Sequence, residues 1–165
     1  MNNTAHKNQE TERKFLVKDN RFLNETFRTY EIEQGYLCLQ PEKTVRIRLR
    51  DDKAFLTIKG KPDANSLTRF EWEKEIDPED ARQLLQLCEG NTVRKTRHLV
   101  SSGIHTFEVD VFHGENEGLI VAEIELDHKN DSFDRPEWLD IEVTEDNRYH
   151  NAQLVRNPYK RWKKC

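Results

Sequence analysis

The sequence predicts an α+β chain, mainly β, in which a closed eight-stranded antiparallel β-barrel surrounds a charged interior and helices pack outside it. Three observations predict it. Apolar and polar residues alternate with period two in run after run, as in Val45-Arg46-Ile47-Arg48-Leu49-Arg50. The polar positions of these runs are almost all ionisable, and each run is nearly of one sign. Only two or three segments carry apolar residues at helical spacing.

The elements follow in order. Residues 1–9 are polar and are expected to form a disordered tail, with the folded domain spanning 10–158. Glu10 to Val17 reads as a strand. Residues 19–27 read as a short helix capped by Asp19 or Asn20, with Phe22, Leu23 and Phe27 turned inward. Residues 30–39 and 45–50 are strands; Asp51-Asp52-Lys53 is a turn, and Ala54 to Lys59 is its hairpin partner. Gly60 to Ser66 has loop composition, and Arg69 to Ile76 alternates again. Asp77-Pro78-Glu79-Asp80 is a helix start: an Asp cap, Pro at the first helical position and acids in the first turn. Ala81, Leu84, Leu85 and Cys88 continue it, and Gly90 stops it. Strands are expected at 93–99, 105–112 and 119–126. A last helix is expected from Thr144 as N-cap through Leu154 and Val155, with Trp138 and Tyr149 packing near it. The basic stretch 159–165 reads as a solvated, frayed terminus.

Composition bounds the function. The 165 residues suit one domain. Hydrophobic and charged residues each make up 35%, against about 45–50% and about 25% in a typical domain. Three Trp, eight Phe and clear periodicity nonetheless demand a folded core. The surplus charge therefore needs a place, and a polar interior cavity is one. A net charge of −4 argues against a non-specific nucleic-acid binder. Cys38, Cys88 and Cys165 form no CxxC pair, which suits a reducing cytoplasm. No apolar run reaches membrane-span length, and Met1-Asn2-Asn3-Thr4 begins no secretory signal, so no membrane association is expected.

Charge sorts across the strands in rows that are nearly of one sign. Glu10, Glu12 and Lys14 share a face, as do Arg46, Arg48 and Arg50. The same holds for Glu71, Glu73 and Glu75, for Lys95 and Arg97, for Glu108 and Asp110, for Glu123 and Glu125, and for Thr57 and Lys59. One account is the outer polar face of half-exposed strands. The other is a lumen in which acidic and basic rows oppose each other, suited to a slender polyanion carrying divalent cations. Two carboxylates that close repel unless a cation lies between them.

These residues resemble a known family. Glu10-Thr11-Glu12-Arg13-Lys14-Phe15-Leu16-Val17 looks like the ExExK opening strand of the CYTH superfamily, the triphosphate tunnel metalloenzymes. Gln34-Gly35-Tyr36-Leu37, Val45 to Arg48, Thr57-Ile58-Lys59, Lys95-Thr96-Arg97, Glu108 to Phe112, Ala122 to Leu126 and Glu142-Val143-Thr144 with Arg148-Tyr149 follow in the family's order. The compact length is similar to that of the small bacterial inorganic triphosphatases. The resemblance implies metal-dependent hydrolysis of inorganic tripolyphosphate, at its terminal phosphate, with Mg²⁺ or Mn²⁺ as cofactor. It implies Glu10, Glu12, Glu123, Glu125 and, further, Asp110 as metal ligands. Arg46, Arg48, Lys59, Lys95 and Arg97 would bind phosphate oxygens, Arg through its paired N–H fork. Lys14 and Tyr36 would form a catalytic pair, the ammonium favouring the phenolate. Glu71 and Glu73 would ligate metal or orient the cationic side chains. A CYTH-type adenylate cyclase, a thiamine triphosphatase, a nucleoside triphosphatase and a non-enzymatic polyphosphate-binding module are the alternatives. Small members often pair, so a homodimer is compatible with this chain.

Outside this set, His98, His105, His113 and His128 lack metal-binding spacing and read as surface or structural residues. Cys38 and Cys88 read as packing.

Overall fold

The computed structural model describes residues 11–62, 69–128 and 130–162. The expected 1–9 tail, Glu10, the greater part of the 60–66 loop and the end of the basic terminus lie outside these residues. The strands are β1 (Thr11–Val17), β2 (Thr26–Gln40), β3 (Lys43–Arg50), β4 (Lys53–Pro62), β5 (Arg69–Ile76), β6 (Val93–Ser102), β7 (His105–Phe112), β8 (Ile120–Leu126) and β9 (Leu139–Glu142). The helices are α1 (Phe22–Glu25), α2 (Pro78–Leu85) and α3 (Asn151–Arg156). All nine strands form one sheet in the order β5-β4-β3-β2-β6-β7-β8-β1-β9.

This corrects the expected closed eight-stranded barrel. Among the described residues β5 and β9 are edges, and the sheet curls without closing. Alternation in a sequence specifies which face a residue takes; it does not specify whether the end strands meet. The ninth strand is only four residues long, Leu139-Asp140-Ile141-Glu142, and escapes notice for that reason. It is clamped to β1 by Arg13, whose Nε and Nη2 donate to the two Glu142 carboxylate oxygens at 2.9 and 2.6 Å.

The outer face is apolar and covered in two places. Phe15, Phe22, Val100, Phe107, Val109, Ala122, Ile124 and Trp138 form one core, beneath α1 and the segment before β9. Phe22 and Phe107 meet the Trp138 ring edge-on at 5.9 and 5.5 Å. Burying each Phe contributes roughly 1.5–3 kcal/mol. The second core joins Ile47, Ala54, Ala81 and Leu85 under α2. Helix α2 begins as expected, the Asp77 carboxylate accepting the Glu79 N–H at 2.7 Å. Helix α1 is shorter than expected. Phe22 is buried, while Leu23 and Phe27 are exposed and Thr26 already opens β2.

The C-terminal helix departs most from expectation. Thr144 caps no helix; its hydroxyl accepts the Lys14 N–H at 3.0 Å and donates to Glu142 at 2.7 Å. A 3₁₀ turn at Asn147–Tyr149 precedes α3. Leu154 and Val155 of α3 pack with Leu16, Tyr36, Val93, Phe112 and Val121. By the two-residue period, these strand residues share the inner face with Lys14, Gln34, Lys95, Asp110 and Glu123. So α3 covers one end of the inner face, where an outer position was expected. Among the described residues no helix is long and apolar enough to cross a membrane.

Candidate active site

The curled sheet encloses a cleft of about 490 Å³. Its walls come from β1, β2, β3, β4, β6, β7 and β8, with His150, Asn151 and Ala152 at the end covered by α3. Strands so far apart in the sheet share one space only because the sheet curls. Arg46, Arg48, Arg50, Lys59, Lys14, Lys95 and Arg97 line it, together with the carboxylates of Glu12, Glu108, Glu123 and Glu125. Seven cations thus face four carboxylates, in a protein whose net charge is −4. An adjoining cavity of about 320 Å³ shares Glu12, Glu108, Glu123 and Glu125 and is completed by Leu99, Ile104, His105 and Thr106. His105 therefore lies beside the carboxylates, although its spacing in the sequence carries no metal signal.

Lys14 holds the acidic wall together. Strand β1 pairs with β8 so that Lys14 lies opposite Glu123 and Glu12 opposite Glu125. The Lys14 ammonium donates to Glu12 at 2.5 Å and to Glu123 at 2.6 Å. Its backbone is pinned from both sides, by Thr144 and by the Val143 N–H. Burial pushes the Glu12 carboxyl up, but the charge and hydrogen bond of Lys14, with the charge of Arg97, together outweigh it, so Glu12 ends below its ordinary range. For Lys14, burial pulls down and the charges of Glu123 and Glu12 carry it above its ordinary range. The two carboxylates already share one cation. That is the donor chemistry a hard divalent ion needs. Among the described residues no three His, Cys, Asp or Glu side chains converge closely enough to hold an ion. Glu10, expected to join Glu12, lies outside those residues.

Asp110 takes a different place from the one expected. Its Oδ2 accepts Lys95 at 2.6 Å and Arg97 Nη2 at 2.9 Å, and its Oδ1 accepts Arg97 Nε at 2.7 Å. Both oxygens are occupied by cations and the residue is 1% exposed. Burial opposes its ionisation, yet Lys95 and Arg97 hold the carboxyl at about 2. Asp110 thus positions two cations, with two of its hydrogen bonds on Oδ2 and one on Oδ1. Arg97 also meets Glu108 at 2.5 Å. Burial raises the Glu108 carboxyl above its ordinary range.

The basic wall is less well paired. Arg46 and Arg48 approach one Glu73 oxygen, each at 3.6 Å, and Glu73 accepts the Thr57 hydroxyl at 2.6 Å. Lys59 approaches Glu71 at 3.6 Å. Glu71 and Glu73 thus orient cationic side chains. Burial and then the neighbouring Arg46 charge lower the Arg48 guanidinium to about 10. Five buried side-chain polar atoms lack a hydrogen-bond partner among the described residues, and four belong to the cleft: Gln34 Nε2, Arg46 Nε, Arg48 Nε and His150 Nε2. Such atoms are rare in folded proteins, and an anion accepting from them removes their cost.

Tyr36 is 7% exposed, and burial raises its phenol above the ordinary range, against the nearby charge of Arg46. The Lys14 charge acts on the phenol in the expected direction, downward, but burial outweighs it, and the hydrogen bonds of Lys14 go to Glu12 and Glu123. Sequence reasoning missed Gln34, His150 and Asn151 as cleft residues and placed Glu108 in a candidate lumen row without giving it a role. Gln34 could be found by counting in twos from Tyr36. His150 and Asn151 carry no such signal, because they leave a non-repeating segment.

Comparisons with known proteins agree with this geometry. The CYTH domain family matches residues 8–158. The chain is 41% identical over 156 residues to an inorganic triphosphatase of Acetivibrio thermocellus, covering 94% of this chain and 98% of that protein. It is 36% identical over 152 residues to an inorganic triphosphatase of Nitrosomonas europaea, covering 88% and 96%. The crystal structure of the inorganic triphosphatase NE1496 superposes with a TM-score of 0.69 at 32% identity, covering 88% of this chain and 93% of that one. With the ordered strand motifs and the cation-rich cleft already described, these matches show that the chain belongs to the CYTH domain family.

Proposed function

We propose that this chain is an inorganic triphosphatase, which hydrolyses a phosphoanhydride bond of tripolyphosphate within the cation-rich cleft. The observation that carries the reading is the excess of cations over carboxylates in a partly enclosed space of an otherwise acidic protein. Such a space concentrates field lines and selects a small polyanion. Homologues named inorganic triphosphatase, 41% and 36% identical over most of the chain, support the same reaction.

Arg46, Arg48, Lys59 and Arg97 take phosphoryl oxygens, the arginines through paired N–H groups. These donors stay in place as charge spreads over the transferring group, which is where phosphoryl transfer is helped most. Lys95 and Asp110 keep Arg97 aimed. Glu12, Glu123 and Glu125, with Glu10, hold a divalent cation, for which Mg²⁺ and Mn²⁺ fit an all-oxygen donor set. When bound, that ion neutralises phosphate charge and acidifies a water. Lys14 then has phosphate oxygens as alternative partners to its two carboxylates.

The test is phosphate release from tripolyphosphate, ATP and thiamine triphosphate, each with Mg²⁺, Mn²⁺ or EDTA. Fast, EDTA-sensitive release from tripolyphosphate over ATP is the expected result. Pyrophosphate formation from ATP would point to a cyclase, and binding without turnover to a polyphosphate-binding module.

A further inference from the structure

Two of the partnerless buried atoms of the cleft belong to side chains that carry no permanent charge, Gln34 and His150. Gln34 is 2% exposed and its side chain lies beside the Tyr36 phenol, but its amide nitrogen has no partner at full hydrogen-bond geometry among the described residues. On β2 it pairs with Val93 on one side and Arg48 on the other. The Val93 side chain packs against Leu154 and Val155, which places Gln34 at the α3-covered end of the cleft. His150 precedes α3 and lines the same cleft. Its backbone is locked: its N–H donates to the Asn147 carbonyl at 3.1 Å, and its carbonyl accepts from Gln153 and Leu154 at 2.9 and 3.0 Å. The next residue, Asn151, accepts the Lys95 ammonium at 3.2 Å. The imidazole is thus presented into the cleft by a segment anchored on both sides of it. Leaving two buried nitrogens unpaired costs free energy that a well-placed acceptor recovers.

We propose that Gln34 and His150 form a further phosphoryl-binding subsite at the α3-covered end of the cleft. It takes one end of a linear inorganic phosphate chain through nitrogen donors, while the carboxylates of the opposite wall serve the cation. The proposal rests on the triphosphatase reading and adds two specificity-determining residues to it. Arginine and lysine attract any anion. Directed donors at a covered end reward a phosphate terminus and disfavour a bulky group in that place.

The experiment measures tripolyphosphate binding by calorimetry in EDTA, and KM and kcat with Mg²⁺, for the full chain and for His150→Ala, His150→Gln and Gln34→Glu. Circular dichroism confirms folding of each. Loss of a charge-assisted hydrogen bond is expected to weaken binding and raise KM about tenfold in His150→Ala and Gln34→Glu. In both, kcat should stay within about threefold. His150→Gln keeps a nitrogen donor at nearly the same reach and should restore most of the affinity. Wild-type affinity in His150→Ala and Gln34→Glu overturns the subsite. So does a fall in kcat with unchanged affinity, which assigns these residues to the chemical step. Failure of the unmodified protein to bind or hydrolyse tripolyphosphate overturns the underlying function instead, and the calorimetry of the unmodified chain separates the two failures.

Discussion

The Lys95 ammonium and the Asp110 carboxylate meet at 2.6 Å with side chains only 2% and 1% exposed, the most deeply buried ion pair among the described residues. Arg97 adds two hydrogen bonds to the same carboxylate. One anion thus serves two cations, and the group as a whole stays positive on the wall of the cleft. A buried pair of this kind is costly to assemble and more costly to break.

Asp110→Asn is therefore expected to lower the unfolding free energy by about 3–5 kcal/mol, since the buried Lys95 loses its counter-charge and Arg97 keeps only Glu108. Urea unfolding at pH 7 reads this directly. The wild-type protein carries a linked acid sensitivity. The Asp110 carboxyl is held at about 2 in the fold, below its ordinary 3.8. Its stabilisation is present above the unfolded value and is lost as pH falls from about 4 toward about 2. That part of the acid transition should be missing from Asp110→Asn, and an unchanged acid transition would argue against the pairing.

With Glu12, Glu123 and Glu125 proposed as metal ligands, a divalent cation would compete with the Lys14 bridge between Glu12 and Glu123. Glu12→Gln, Glu123→Gln and Glu125→Gln should abolish metal-dependent phosphate release while circular dichroism stays native. Calorimetric scanning gives a readout independent of turnover. Mn²⁺ should raise the melting temperature of the wild-type protein and leave the three variants unmoved. Full activity in Glu12→Gln and Glu125→Gln would sink the metal assignment.

Arg48 is crowded by Arg46 and shares Glu73 with it. Removing one of two like charges relieves repulsion, so Arg48→Ala should leave ligand-free stability nearly unchanged. KM for tripolyphosphate should nonetheless rise about tenfold or more. Lys59→Ala should raise KM similarly. A stability loss that accounts for the whole activity loss would make these residues structural ion-pair partners.

Tyr36 is buried, its phenol is raised, and its potential partner Lys14 is engaged elsewhere. Tyr36→Phe is therefore expected to keep kcat within about threefold and to leave the pH–rate profile in place. A several-fold fall in kcat with a shifted alkaline limb would return Tyr36 to the chemistry.

Strand identity was written in the chain. Val45 to Arg50 alternates, and the structure turns Arg46 and Arg48 inward and Ile47 outward because successive side chains of a strand leave on opposite faces. Helix α2 was equally legible, from the Asp77 cap and Pro78. Rows nearly of one sign marked a charged interior, and they marked the side chains that line it. What the rows could not encode was pairing across the cleft. That Lys14 bridges Glu12 and Glu123, that Asp110 serves Lys95 and Arg97, and that Glu73 lies beside Arg46 and Arg48 all depend on strand register and neighbour order. The open sheet and the inward placement of α3 were likewise beyond reach. Whether edge strands meet, and which face a short helix such as Asn151–Arg156 covers, are decided by residues far apart in the chain. The sequence by itself determined the faces and the charges. Only the tertiary structure decided which charges neutralise one another and which single nitrogens, such as Arg48 Nε, Gln34 Nε2 and His150 Nε2, lack a hydrogen-bond partner among the described residues, because partnership is a property of distance and distance is set by the fold.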